Sequence, residues 1–164
     1  MTRGLEQRIA HFRDSGILVD TNLLLVLLIG ETRPELLTSF GRTSKYTPDD
    51  FHLLQEIVER IRVRWTSPAI LTEVTNLVDK LKGKDRFRFL ELLSFIMASS
   101  KEGHVPAADI AGTWQLCKYG YSDTTSLKLL PHDALLLTDD LDLYLHAKSA
   151  GLQAMNFTEL QSFN

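Results

Sequence analysis

The segment ILVDTNLLLVLLIG, residues 17–30, is the most apolar run of the chain, and a carboxylate stands fourth in it. Fourteen residues that include an acid fall short of a membrane span, which takes about 20 mostly apolar ones. A secretory signal would open on a basic stretch and close on small residues, whereas this run follows the polar, amphipathic segment 5–12. The expectation is an unprocessed chain with no membrane segment. The run is then core, and Asp20 divides it into a short buried strand and a helix that Thr21 and Asn22 cap.

A chain of 164 residues buries one ordinary core, so a single domain over 1–164 is expected. Its one cysteine, Cys117, forms no internal disulfide, which suits a reducing compartment and points to the cytoplasm; in an apolar helical pattern it reads as inert packing. A formal net charge of -3 gives no general attraction for nucleic acid. Local clusters remain: Arg60, Arg62 and Arg64, and then Lys80, Lys82, Lys84, Arg86 and Arg88. Each alone reads as a solvated rim.

Periodicity supplies the elements. Leu5, Ile9 and Phe12 mark a first helix ending near Gly16, ahead of the strand at 17–20. Thr47-Pro48-Asp49-Asp50 joins a capping hydroxyl, a proline and two acids at a helix start, and that helix runs to about Ile61. Alternation at 62–66 reads as a strand, and Ser67-Pro68 opens a helix to about Leu81. Leu90, Leu93, Ile96 and Met97 mark another; Ile110, Trp114 and Leu116 lie on the next, with Trp65 and Trp114 read as core. Ser122-Asp123 caps a further short helix, 134–138 is a fully apolar strand, 141–150 a helix and 152–156 a last strand. Apolar strands alternating with helices imply an α/β fold of three layers, α/β/α, around a central, mainly parallel sheet.

In such a sheet ligands bind beyond the carboxyl ends of the strands. Asp20 ends the first strand, Glu73 lies in the helix after the second, Asp123 begins a helix and Asp140 follows the apolar strand that ends in Thr138. Four acids at one edge repel one another by roughly 3 kcal/mol per close pair. A hard divalent cation relieves that repulsion, and Mg²⁺ or Mn²⁺ suits a set of oxygen donors without Cys or His. His132, alone before a strand, reads as structural.

VDTNLL at 19–24, SPAILTEV at 67–74, YSDTT at 121–125 and LTDDLDL at 137–143, running on through Gly151, resemble the ordered motifs of a PIN domain, the metal-dependent nucleases that include VapC-type toxins. The resemblance covers 17–157, leaving 1–16 as an N-terminal helix. Thr124 and Leu141 depart from the family pattern, and neither removes an acid. The resemblance implies a PIN-like fold and a metal-dependent endoribonuclease that leaves 5′-phosphate and 3′-hydroxyl ends. Asp20, Glu73, Asp123 and Asp140 would be its catalytic and metal-binding residues. Of the three acids in the last motif Asp140 is chosen because it stands two residues after Thr138, with Asp142 in reserve. Asn22 either orients Asp20 or caps its helix, and Thr138 holds a water or ligand or completes a turn.

Lys80, Lys82, Lys84 and Arg86 are the candidates for holding RNA, and the segment 31–46 is a partner- or substrate-facing insertion. A toxin would have an antitoxin partner, with an arginine reaching the carboxylates; homodimers are common among such proteins. The rival from another class is a catalytically silent PIN-like module that binds protein or RNA. A haloacid-dehalogenase-type phosphohydrolase is disfavoured, because Asn22 stands where its second aspartate would be.

Overall fold

In the computed structural model, which describes residues 3–161, five strands form one sheet. They are β1 (Ile17–Val19), β2 (Arg64–Thr66), β3 (Lys101–Glu102), β4 (Leu135–Thr138) and β5 (Gln153–Asn156), in the order β3-β2-β1-β4-β5. Every pairing is parallel, where the sequence promised only a mainly parallel sheet. The helices are α1 (Arg3–Ala10), α2 (Thr21–Thr32), α3 (Pro48–Glu59), α4 (Pro68–Leu77), α5 (Gly83–Ser99), α6 (Ala107–Ile110), α7 (Trp114–Leu129), α8 (Leu141–Ser149) and α9 (Phe157–Gln161). The whole is a three-layer α/β/α fold. Helices α3, α4 and α5 each pack on α2, and α8 lies against β4 and β5.

Strands β1 and β4 are buried along their whole length, as continuous apolar runs in a covered parallel sheet must be. Around them one contiguous core joins Ile9, Leu54, Ile57, Leu136 and Phe157. Gly16 takes a left-handed φ of +108° ahead of β1, and a Cβ there would lie 2.7 Å from the Trp65 indole nitrogen. The indole is fixed by donating to the Ser15 carbonyl at 3.2 Å.

Local chemistry sets the helix starts. Thr47 and Asp50 form a reciprocal capping box on α3, and Ser67 caps α4 with Pro68 in its first turn. The cap of α2 is Asp20 itself, not Thr21 or Asn22, since its carboxylate accepts the Leu23 N–H. A further helical segment does begin near Ser122 and Asp123: a break at Gly120 (φ 81°, ψ -178°) divides α7 in two, and the pair lies inside the first turn of the second part instead of capping it. Helix α4 stops at Leu77 instead of Leu81. The two-residue β3 and the five-residue α9 are too short to show a periodicity in the sequence.

Several residues expected in the core lie at the surface. Leu90 and Met97 are exposed because α5 buries only the stripe through Phe89 and Leu93. Trp114 is 55 % exposed and packs edge-on against His146 beside Tyr119. Cys117, on the same helix, is exposed and not inert packing. Among the described residues no helix is long and apolar enough to cross a membrane.

The chain leaves β1 toward β2 and β3 on one side and later returns to place β4 and β5 on the other. Connections therefore diverge at the carboxyl ends of β1 and β4, where a parallel sheet opens a crevice.

Candidate active site

Asp20 sits at that crevice because β1 ends there and α2 begins. Its Oδ1 accepts the Leu23 N–H at 2.8 Å, and its Oδ2 accepts the Asp139 N–H at 3.1 Å from beyond β4. The Asp20 N–H in turn donates to the Leu137 carbonyl at 3.0 Å, so the two strand ends are tied through one residue. Burial, reinforced by the charge of Asp139, pushes the Asp20 carboxyl up to about 7 against the hydrogen bonds from Thr138, Leu23 and Asp139.

After β4 the three neighbouring acids diverge in role. Asp140 caps α8, accepting the Leu143 N–H at 2.9 Å, while its own N–H donates to the Thr138 hydroxyl at 3.0 Å. Asp142 turns outward to Lys118, 3.6 Å away. Asp139, which the sequence did not single out, turns inward. One of its oxygens accepts from Asn22 at 3.4 Å, and the other from both Lys45 and Tyr46. Burial alone would raise its carboxyl, but the bonds from Lys45 and Tyr46, the Lys45 charge and Asn22 together hold it below the ordinary range. Tyr46 is pushed far up by burial and by its bond to Asp139.

A second group of acids faces this one. The Thr21 hydroxyl, next to Asp20, donates to Glu73 Oε2 of α4 at 3.0 Å and lies 3.4 Å from the Ser122 hydroxyl of α7. Asp123 follows Ser122. Burial raises its carboxyl to about 6, and repulsion from Glu73, Asp140 and Asp139 adds to the shift. Asp123 has no hydrogen-bond or ion-pair partner among the described residues. Glu73 and Asp123 line a cleft of about 530 Å³ together with Asn76, His104, Tyr121 and Ser122.

The structure thus brings Asp20, Glu73, Asp123 and Asp140 to one edge, with Asn22 and Thr138 beside them and Asp139 added. Lys80, Lys82, Lys84 and Arg86 do not line the cleft. Arg86 folds back onto the Val78 carbonyl at 3.3 Å and toward Asp79 at 3.7 Å. The positive charges at the edge come instead from the segment between α2 and α3, through two 3-10 turns at Pro34–Leu36 and Gly41–Thr43. Its Arg42 lies 3.8 Å from Glu73 Oε1 and donates to Asn22 Oδ1 at 3.4 Å; Lys45 binds Asp139.

The donor set is all oxygen and negative, which suits a hard divalent cation. As the side chains stand, no three His, Cys, Asp or Glu groups among the described residues surround one point closely enough to ligate an ion. The bonds from Leu23, Asp139 and Thr138 leave the Asp20 carboxylate one free lone pair of four. Compared with known proteins, the chain matches no family model and no curated sequence.

Proposed function

We propose that this chain is a Mg²⁺- or Mn²⁺-dependent endoribonuclease of the PIN type. The observation that carries the reading is Asp123, a carboxylate without a protein partner whose neighbours are Glu73, Asp140 and Asp139, all acids. A carboxylate that bears its charge among other acids is stabilised by a cation that joins it. Asp20, Glu73, Asp123 and Asp140 would hold the ion, Asp20 as the member that backbone amides immobilise. When bound, the ion supplies Lewis-acid activation of water and charge neutralisation for phosphodiester hydrolysis.

The remaining residues then have tasks of their own. Arg42, 56 % exposed beside Glu73, binds a phosphate at the rim. Tyr121, 45 % exposed on the cleft wall, offers its ring to an unstacked base, which favours single-stranded RNA over duplex. Thr21 and Asn22 keep Glu73 and Asp139 in place. In a toxin–antitoxin pair the antitoxin's basic group would compete with Arg42 and Lys45 for the same carboxylates.

A specific observation favours a second reading, a silent interaction module: Asp20 and Asp140 already act as helix caps, and no ready cage of three ligands exists among the described residues. Cleavage of a mixed RNA pool with Mn²⁺, with Mg²⁺ and with chelator separates the two. The nuclease reading expects 5′-phosphate products that need metal and vanish in Asp123→Asn, a variant that loses no hydrogen bond of the fold. Absence of cleavage together with a melting temperature indifferent to Mn²⁺ would establish the silent module.

A further inference from the structure

Two tyrosines on the wall of the acidic cleft, Tyr119 and Tyr121, stand two positions apart in α7. In an unbroken helix that spacing turns side chains away from each other. Both reach one cleft because α7 breaks between them at Gly120, whose φ of 81° and ψ of -178° fall in a region essentially closed to residues with a side chain. The break thus makes an aromatic wall, and the wall continues outward. Tyr119 stacks on His146 of α8 with ring centroids 5.4 Å apart, Trp114 meets the same imidazole edge-on at 4.9 Å, and Trp114 lies 5.9 Å from Tyr119. Lys118 Nζ stands 5.1 Å from the Tyr119 ring centroid. Half-buried Tyr119 ties this group to the core, while Tyr121 on the cleft wall and Trp114 beyond it are exposed.

The neighbouring cleft decides what these rings meet. Glu73 and Asp123 line it, among the described residues no lysine or arginine does, and Arg42 reaches only its rim. Such a surface repels phosphates, so a strand drawn across it must be held largely by contacts that do not depend on charge. Base stacking is such a contact; it tolerates any sequence and is open only to unpaired bases. We propose that Tyr121 and Trp114 are stacking platforms for an unpaired stretch of RNA that leaves the cleft along the first half of α7, with Lys118 meeting the phosphate between them. The proposal rests on the endoribonuclease reading and adds to it the route of the strand on one side of the acids. A substrate then needs a run of unpaired nucleotides beside the cut, and a single unstacked base does not suffice.

The test titrates the full chain with labelled oligoadenylate in chelator and, as Asp123→Asn, in Mn²⁺, following RNA anisotropy and tryptophan fluorescence. Trp65 is held against the Ser15 carbonyl, so quenching by RNA reports Trp114. The expected result is quenching on binding, with the oligoadenylate–oligouridylate duplex bound at least about tenfold more weakly. Trp114→Ala and Tyr121→Ala should each weaken binding about tenfold, whereas Trp114→Phe, which keeps a ring, should restore the affinity without the signal. Both positions are exposed, so these variants fold. Quenching that Trp114→Ala abolishes, in a protein that cuts no RNA with any metal, would keep the platform and remove the nuclease. Metal-dependent cleavage with undiminished affinity in both alanine variants would overturn the platform and keep the nuclease. Equal affinity for the duplex would overturn it too, and no binding in either medium would do the same and leave the rings to a protein partner.

Discussion

A carboxyl that keeps its proton to about pH 7, as Asp20 does, makes stability depend on pH in a defined sense. In the unfolded chain the same group loses its proton near the ordinary value of about 3.9. Between those limits the folded state holds a proton that the unfolded state has released, so stability falls as pH rises through that window and levels off above it. The fall from Asp20 alone is on the order of 4 kcal/mol at most, and Asp123 adds to it in the same direction. Denaturant titrations at mildly acidic and mildly alkaline pH measure it, and greater stability on the alkaline side without metal would contradict the assignment. Mn²⁺ should reduce the fall. Lys45 gives the second expectation at this scale. Lys45→Ala removes a cation from Asp139, whose side chain is 3 % exposed, and should cost about 1–3 kcal/mol. It should also tighten Mn²⁺ binding in calorimetry, because the competing charge is gone; weaker binding would mean that Lys45 does not compete with the metal. Asp20 was legible from its position at the end of an apolar strand. Arg42 and Lys45 were not, because they lie in an aperiodic Thr/Ser/Gly segment and the partner of Lys45 is 94 positions away. Asp139 is illegible for the same reason: only the tertiary structure shows which of three neighbouring acids turns inward.

At the scale of elements, the layer of helices over the sheet depends on close approach. Gly30 in α2 faces Phe51 of α3, and a Cβ there would lie 2.3 Å from the Phe51 ring. Gly30→Ala should therefore lower stability by about 1–3 kcal/mol through displacement of the ring; a melting temperature unchanged from the parent would show that the helices slide apart freely. Helix starts at Thr47 and Ser67 were readable because capping chemistry is local. Which helix faces find a neighbour was not. The apolar spacing of Leu90, Leu93, Ile96 and Met97 marked a helix correctly, but α5 meets α2 over a narrow stripe and leaves Leu90 and Met97 to solvent. Trp114 and Cys117 erred likewise, since periodicity places residues on a face without saying what covers it. The two-residue β3, exposed throughout, has no hydrophobic pattern to betray it.

For the molecule as a whole, the alternation of apolar strands with helices was enough to specify a three-layer fold, and the switch between β1 and β4 then locates the crevice. That centre is built from distant parts of the chain: Ile17 to Val19 pair with Leu135 to Leu137. A chain cut after Pro131 lacks β4 and β5, and leaves β1 as an unpaired sheet edge. Such a fragment should show no cooperative melting by circular dichroism; a sharp transition would mean that the first part of the chain folds by itself. The hydrogen bond from the Asp139 amide to Asp20, which spans 119 positions, carries a temporal consequence. On the ribosome Asp20 emerges early and waits, unable to meet the second strand end that fixes it. A site built on these acids stays incomplete in the nascent polypeptide until β4 has been synthesised and has docked, so the order of the strands along the chain sets the moment at which it can form.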